Sequence, residues 1–540
     1  MFIHQLVRWC KGREDGFFKV VVLTTVVFAL VEIVMFALYR QTWIDEAIYL
    51  FKSLTILRGD FIPFRDIVVE YPPFFILLYG LPQLLFGAGF YVGRFAVAVF
   101  SVAILILLFK LIKKLMNRWW ALIAVLLLLS SLSLIGNYAV SALFAPTTLV
   151  LLTLLYVETT NINRSKKTIL ASCCLALLLL MRTNLFPATF VYVIYLILMK
   201  AGWRNILLCF GITFGLVIAG FLPIVAFNPS LATSFILLPF HTFGTLKQVS
   251  LEFFARQDLL SFVTTIVEFI REYIVLLFLF LAVFIRFIME VIKRPSPFAF
   301  LREEKIYVLT SVLVLTLTIT HFFYFGVETK VIYASYFGIL FIVSALIGIY
   351  HLAYERYERK VWVSIFMAGI LLNFGVNVFR TDLVSNPLAE SDLARVERGA
   401  ALVRENTTPI DTLVAFDNSI FHIYAADRKT FPPLFNRNFL YVHNTESEFI
   451  KPLLLYNFDI LKQWIISADF LLLHKEKWAS QFVEQGQDAD KIAEIVWIKA
   501  TVNEQYKLVG TEKNVYPRKY TVGNDNEGGT LLIYKNKKVR

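Results

Sequence analysis

Five carboxylate side chains lie in one stretch between two apolar segments of the sequence: Asp45, Glu46, Asp60, Asp66 and Glu70. Grouped carboxylates act as general bases or as ligands of divalent cations. Asp45 and Glu46 follow the first long apolar run, in "QTWIDEAIYL", and Glu70 precedes the next one, in "VVEYPPFFIL". The spacing indicates an acidic site. The alternative is that these acids only cap helices, because the dipole at a helix N-terminus favours them.

The composition predicts that these acids lie beside a membrane. Of the 540 residues, 58% are hydrophobic and 17% are charged, whereas a soluble protein carries about 25% charged residues. Repeated apolar runs of about twenty residues predict transmembrane helices. The formal net charge is +12, but the basic residues lie in short clusters between the apolar runs. Orientation in the bilayer explains these clusters better than a nucleic-acid partner does.

The charge pattern predicts the orientation of the first span. Four basic residues lie before or at the start of the first apolar run: Arg8, Lys11, Arg13 and Lys19. The N-terminus should therefore be cytoplasmic, and the first span, about 18–39, should be an uncleaved signal anchor that ends outside. A strongly basic loop follows the apolar run 94–112 and should lie inside. Segment 74–90 then lies along the outer surface or dips in and returns, and the first outer loop covers about 40–93.

The remaining apolar runs continue the same alternation and predict a multispanning core over residues 1–379. They bring the total to about eleven spans. These further spans lie near 119–136, 142–157, 168–181, 185–200, 205–225, 272–289, 306–325, 333–352 and 361–379. The loops predicted to lie inside are rich in Lys and Arg. A second outer loop covers about 226–271, and the C-terminus lies outside.

Residues 380–540 differ in composition from the core. They carry many charges and contain short apolar runs of strand length, "TLVAF", "DFLLLH" and "TLLIY", separated by helix-like stretches. The predicted fold is therefore a polytopic α-helical membrane protein with a small extracytoplasmic α/β domain at its C-terminus.

The order of motifs in the first outer loop resembles that of the GT-C membrane glycosyltransferases. A first span is followed by "DE-A-IY", by "G-DFIPFRD" and by "EYPPF" before an apolar helix that ends in "LFG", and Arg94 opens the next span. The GT-C group includes the protein O-mannosyltransferases and the lipid A aminoarabinose transferases. The motif match covers about residues 30–115. The predicted number of spans and the outer C-terminal domain extend the resemblance loosely to the whole chain. It implies a multispanning core, a polyprenyl-phosphate sugar as donor and an aspartate of the "DE" pair as base.

The resemblance assigns expected roles to the acids. Asp45 corresponds to the base and Glu46 is its neighbour, so both are catalytic candidates. Glu70 is the third catalytic candidate, as a second acid or a metal ligand. His241, in the second outer loop, is the other metal candidate, although a surface histidine is the alternative. Some relatives need a divalent metal and others do not, so the metal stays open.

Four further residues are candidates for binding the donor phosphate. Stabilising a phosphate leaving group needs cations, and Arg94, Arg182 and Lys330 are predicted near the outer face. For these cations the alternative is snorkelling at the membrane interface. Tyr333, in "HFFYFGVETKVIYASY", lies at another outer helix end, where an aromatic belt is the alternative. We expect Asp45, Glu70 and Arg182 to line one outward-facing cavity.

The predicted function is transfer of a sugar from a polyprenyl-phosphate donor to a lipid, glycan or protein acceptor, in a bacterial inner membrane. A transporter or lipid flippase is one alternative, but it predicts acids near the bilayer midplane, where only Glu32 lies. Glu32 could also pair with a neighbouring helix. A non-catalytic scaffold is the other alternative, and it leaves the acid-rich loop without a purpose.

Overall fold

A computed structural model describes most of the chain. The described residues are 14–39, 44–62, 66, 74–131, 144–182, 185–227, 259–325, 335–352, 361, 364–372, 390–416, 419–431, 434, 456–479, 492–517 and 529–539. Every structural statement below concerns these residues.

The part of the chain up to residue 352 is helical wherever it has regular structure. Its helices are α1 (Glu14–Tyr39), α2 (Ile44–Leu57), α3 (Phe74–Phe86), α4 (Phe90–Leu115), α5 (Arg118–Ser130), α6 (Phe144–Thr159), α7 (Arg164–Met181), α8 (Phe186–Leu198), α9 (Trp203–Phe227), α10 (Leu259–Lys293), α11 (Pro297–Glu303), α12 (Lys305–Phe325) and α13 (Ser335–Leu352). A further helical segment covers 364–372.

Four of the described helices are long and apolar enough to cross a membrane. They contain the stretches Asp15–Leu38, Phe90–Leu115, Trp203–Leu222 and Val275–Lys293. Large apolar side chains such as Leu23 remain exposed on them, as expected for helices that face lipid. The chain is therefore an integral membrane protein. Shorter apolar helices lie over other predicted spans, and the predicted number of crossings stays a prediction.

Helix α2, at the start of the predicted first outer loop, is buried between α3 and α4. Close packing there depends on two glycines. A Cβ added at Gly80 of α3 would lie 2.6 Å from the backbone oxygen of Ser53, and one at Gly93 of α4 would lie 2.3 Å from Leu50. These distances are shorter than van der Waals contact, so only glycine allows this approach. The position of α2 is thus set by direct contact with its neighbours.

The C-terminal region, residues 390–539, forms a five-stranded sheet with helices around it. Its elements are α14 (Asp392–Asn406), β1 (Thr412–Ala415), α15 (Ile420–Ala425), β2 (Lys429–Thr430), α16 (Phe458–Ser467), β3 (Phe470–His474), α17 (Ala493–Gln505), β4 (Tyr506–Glu512) and β5 (Leu531–Asn536). The strand order is β2-β1-β3-β5-β4. Strands β2, β1 and β3 are parallel, whereas β3, β5 and β4 are antiparallel. The three apolar runs predicted as strands are β1, β3 and β5.

The two faces of this sheet belong to different hydrophobic cores. Leu413, Ala415 and Leu472 lie in the large core that also contains the buried side chains of the membrane helices. Val414 and Leu471, which alternate with them, lie in a second and smaller core. Successive side chains of a strand point to opposite faces, so neighbouring residues of β1 and of β3 belong to different cores. One face of the sheet is therefore packed towards the helical core.

A buried histidine lies within the C-terminal region, where it packs against α14 and Tyr516. His422 of α15 lies 3.3 Å from the carbonyl oxygen of Val396 through Nδ1. Its ring packs edge-on against Tyr516, with the ring of His474 on the same tyrosine. Gly399 leaves the space that the imidazole fills. Burial lowers the pKa of His422 to about 3; the Val396 carbonyl raises the pKa and His474 lowers it.

This lowered pKa predicts that the C-terminal region loses stability in mild acid. Below pH 6.5 the unfolded chain takes up a proton at His422 that the folded chain does not, so stability falls with pH down to about 3. At pH 5 the free energy of unfolding should be lower than at neutral pH by about 2 kcal/mol. Hydrogen exchange at the amides of β3, corrected for the intrinsic pH dependence of exchange, measures this loss. In His422→Phe most of it should disappear, and an equal loss in that variant would contradict the prediction.

Candidate functional site

The acidic pair identified in the sequence lies in the first turn of α2. Asp45 and Glu46 are the second and third residues of this helix. The helix dipole stabilises negative charge at this position. The backbone of Asp45 belongs to this helix, and its side chain lies outside the described part of the structure.

Glu46 forms a buried ion pair with Arg94 at the start of α4. Nε of Arg94 donates to Oε1 of Glu46 at 2.7 Å, and Nη2 donates to Oε2 at 2.9 Å. Nη1 of the same guanidinium donates to the carbonyl oxygen of Ala37, near the end of α1, at 3.1 Å. Glu46 is 4% exposed and Arg94 is 2% exposed. The pair therefore joins the end of α1, the first turn of α2 and the start of α4.

This geometry indicates what Glu46 and Arg94 do in the fold. A bidentate arginine–carboxylate pair is directional as well as strong, so it sets the position of the helical turn that carries Asp45. The sequence predicts that Glu46 takes part in catalysis and that Arg94 binds phosphate. The structure places both in contact with each other, and those direct roles stay predictions.

A narrow cleft opens beside Arg94, between α1 and α4. Apolar side chains form nearly all of its wall: it is lined by Ile33, Phe36, Ala37, Arg94, Val97, Ala98 and Ser101. Glu32 lies one turn before Phe36 in the same helix and is buried. Neither oxygen of its carboxyl group has a hydrogen-bond partner among the described residues. Among the described residues, Glu32 therefore has no hydrogen-bond partner on a neighbouring helix, which was the alternative to a functional role.

Arg182 caps the C-terminal end of α7 and is 2% exposed. Its guanidinium lies over the ring of Phe144, the first residue of α6, at 5.5 Å from the ring centroid. Its backbone N–H donates to the carbonyl oxygen of Leu178. A cation is favoured both at a helix C-terminus and over an aromatic face. Arg182 is therefore held between two helices, and its predicted phosphate contact stays a prediction.

The other predicted site residues lie outside the part that the structure describes: Glu70, Lys330, Tyr333 and His241. The expectation that Asp45, Glu70 and Arg182 share one cavity consequently stays a prediction. Among the described residues, no three His, Cys, Asp or Glu side chains are grouped so that they could hold a metal ion. The two metal candidates, Glu70 and His241, lie outside the described residues, and their roles as metal ligands stay predictions.

Two buried polar residues near α2 were not selected from the sequence. Gln83 of α3 donates from Nε2 to the carbonyl oxygen of Leu50, in α2, at 2.9 Å. The hydroxyl of Tyr424, in α15, donates to Oε1 of Gln83 at 2.6 Å. A tyrosine and a glutamine so far apart in the sequence give no local signal of pairing.

Several solved structures are similar to this chain. ArnT from Cupriavidus metallidurans bound to undecaprenyl phosphate matches 96% of this chain and 98% of its own at 12% sequence identity, with a TM-score of 0.58. The Archaeoglobus fulgidus oligosaccharyltransferase in complex with Zn and sulfate matches 86% of this chain and 70% of its own at 13% identity, with a TM-score of 0.52.

A third similar structure is oligosaccharyltransferase AglB from Archaeoglobus fulgidus, in complex with an inhibitory peptide and a dolichol-phosphate. It matches 87% of this chain and 71% of its own at 12% identity, with a TM-score of 0.52. No protein-family model and no curated protein matches the sequence. At identities this low, the likeness to these membrane proteins is a likeness of fold.

Proposed function

We propose that this chain, whose fold is that of the GT-C membrane glycosyltransferases, transfers a sugar from a polyprenyl-phosphate-linked donor. The acceptor is a lipid, a glycan or a protein on the outer face of the membrane. The observation that carries the proposal is the fold likeness to ArnT bound to undecaprenyl phosphate, which extends over 96% of the chain. The acidic first turn of α2 adds the chemistry that such a transfer needs.

The proposed reaction is a substitution at the anomeric carbon of the sugar. Asp45 takes the proton from the acceptor hydroxyl, the acceptor oxygen bonds to the anomeric carbon, and the bond from that carbon to the phosphate oxygen breaks. Cations stabilise the charge that develops on the leaving phosphate; Arg182 and Lys330 are the proposed partners, with Tyr333 beside them. Glu70 is a second acid or a metal ligand.

The buried pair of Glu46 and Arg94 supports the proposed role of Asp45. A general base must lie within hydrogen-bond reach of the proton it removes, so its helical turn has to be held in place. The bidentate contact between α2 and α4 holds that turn. In this proposal Glu46 and Arg94 act on the reaction through the position of Asp45.

The proposal includes the topology predicted from the charge pattern. The core crosses the membrane about eleven times with its N-terminus in the cytoplasm. The C-terminal α/β domain then lies outside, together with the first outer loop and the donor phosphate. A bacterial inner membrane is the proposed location. Cysteine labelling with a membrane-impermeant reagent at Gln463, an exposed position in α16, tests the orientation in whole cells or spheroplasts.

The decisive experiment measures sugar transfer by the purified full-length protein from labelled polyprenyl-phosphate sugars to a mixed lipid and glycan extract. We expect release of polyprenyl phosphate and incorporation of the label into an acceptor. A chelator with and without added Mg²⁺ shows whether a metal is needed. Folded protein that turns over no donor, but moves labelled lipid across the bilayer of proteoliposomes, would favour the flippase function instead.

A further inference from the structure

We infer that Tyr424, in the C-terminal region, is a positioning residue for the acid-bearing helix α2. The inference rests on the proposed function, because it concerns the helix that carries the proposed base. It goes beyond that function in assigning the C-terminal region a task in catalysis. The observations that carry it are the contacts of α15 with α2, α3 and the start of α4.

The hydroxyl of Tyr424 lies at the centre of a buried hydrogen-bond network. It donates to Oε1 of Gln83 at 2.6 Å and accepts from the backbone N–H of Gly89 at 3.2 Å. Nε2 of Gln83 donates to the carbonyl oxygens of Leu50 at 2.9 Å and of Tyr79 at 2.7 Å. Both amide hydrogens and the amide oxygen of Gln83 are thereby used. The network connects α15 through α3 to the backbone of α2.

The ring of Tyr424 is fixed as firmly as its hydroxyl. It packs edge-on against Phe90, with the ring centroids 4.8 Å apart, and lies 5.9 Å from the ring of Phe51, in α2. Phe421, one turn earlier in α15, also packs on Phe90. Tyr424 is 1% exposed. This packing holds the ring in one position, so the hydroxyl points towards Gln83.

Two ion pairs join the same elements at the edge of the contact, beyond the C-terminal end of α2. Arg58 binds both carboxylate oxygens of Asp427, at 2.6 and 3.2 Å. Lys429 of β2 donates to Asp60 at 2.6 Å. These side chains are partly exposed, so each pair adds little free energy. They contribute to orientation, because both hold the segment after α15 against the end of α2.

Helix α2 is therefore held at two places by different parts of the chain. Its first turn is held by Glu46 and Arg94, and its middle is held at Leu50 through Gln83 by Tyr424. Leu50 follows Asp45 by five residues, about 7.5 Å along the helix axis. A helix moves as a unit over this distance, so a shift at Leu50 is passed to Asp45. A misplacement of about 1 Å in a catalytic group lowers a rate by about 100-fold.

The polar character of the contact supports a positioning role. Apolar side chains would bury the same area without needing an exact direction, whereas a hydrogen-bonded network is stable only when every member is in place. Loss of the Tyr424 hydroxyl leaves the amide oxygen of Gln83 without a donor and allows that side chain to turn. The carbonyl of Leu50 then loses its contact with α3.

The test is Tyr424→Phe, with Tyr506→Phe as the matched control. Tyr506 also has a buried hydroxyl, which donates to the carbonyl oxygens of Ile465 and Ala468 within the C-terminal region, but it makes no described contact with α2. Hydrogen exchange at the amides of α2 should be faster in Tyr424→Phe by about tenfold or more and unchanged in Tyr506→Phe. In the transfer assay, kcat should fall by about 10- to 100-fold in Tyr424→Phe with the donor KM within about twofold.

A double-mutant cycle with Gln83→Leu completes the test. If Tyr424 acts through Gln83, the double variant should transfer sugar about as fast as the slower single variant, because both changes break the same connection. The inference would be overturned if hydrogen exchange in α2 were equal in Tyr424→Phe and Tyr506→Phe. It would also be overturned if Tyr424→Phe raised the donor KM and left kcat unchanged. A wild-type protein that transfers no sugar would instead overturn the proposed function, while the exchange experiment would still decide whether Tyr424 holds α2.

Discussion

Replacing Asp45 by asparagine is expected to lower the rate of sugar transfer by a factor of about 10²–10⁴. Asparagine keeps the shape of the side chain and removes its ability to take the proton from the acceptor hydroxyl. Asp45 lies in the first turn of α2, and the neighbouring pair of Glu46 and Arg94 holds that turn in place. Donor binding should be unchanged, because the lost group acts on the acceptor.

The measurement combines the initial rate of transfer with equilibrium binding of an unlabelled polyprenyl-phosphate sugar. Asp459→Asn is the matched control, because it is the same change at an aspartate in the first turn of another helix, α16. The side chain of Asp459 is 70% exposed and accepts a hydrogen bond from Nζ of Lys462 at 3.1 Å, a contact that an asparagine oxygen can also make. Transfer in that variant should stay within about twofold of wild type. An unchanged rate in Asp45→Asn would remove Asp45 as the base.

The second large effect is expected at the ion pair between Glu46 and Arg94. Glu46→Ala leaves the Arg94 guanidinium buried without its carboxylate, and breaking a buried pair on one side costs about 3–5 kcal/mol of folding free energy. The midpoint of thermal or denaturant unfolding in detergent should fall accordingly. Transfer should fall as well, because the first turn of α2 is no longer held to α4.

Two comparisons separate the charge effect from general damage to the fold. The double variant Glu46→Leu with Arg94→Met should recover much of the stability, since no unpaired charge remains in the apolar surroundings. Asp15→Asn breaks the pair that Asp15 forms with Arg118, whose side chains are 77% and 36% exposed. That change should cost at most about 1 kcal/mol. A Glu46→Ala variant as stable as Asp15→Asn would show that the buried pair does not hold α2.

Much of the fold could be predicted from the sequence, because local patterns determine it. Apolar runs of helical length separate the basic loops, so helices lie where the described spans were predicted. The short runs in the C-terminal region predicted β1, β3 and β5, because apolar residues bounded by polar ones indicate strands. The order of acids, glycines and prolines between the first two long apolar runs indicated the GT-C resemblance, and the fold comparison agrees with it.

Partner choice could not be predicted, because it depends on contacts between distant parts of the chain. The sequence placed Arg94 near the outer end of a span, where a cation suits a phosphate; only the tertiary structure shows Glu46 bound to its guanidinium. The link from Tyr424 through Gln83 to α2 joins residues more than three hundred positions apart. Periodicity and charge order determine which segments form helices and strands, and they place Asp45 in the first turn of α2. Packing in three dimensions decides which buried polar groups satisfy one another, and so which residues hold that acid in place.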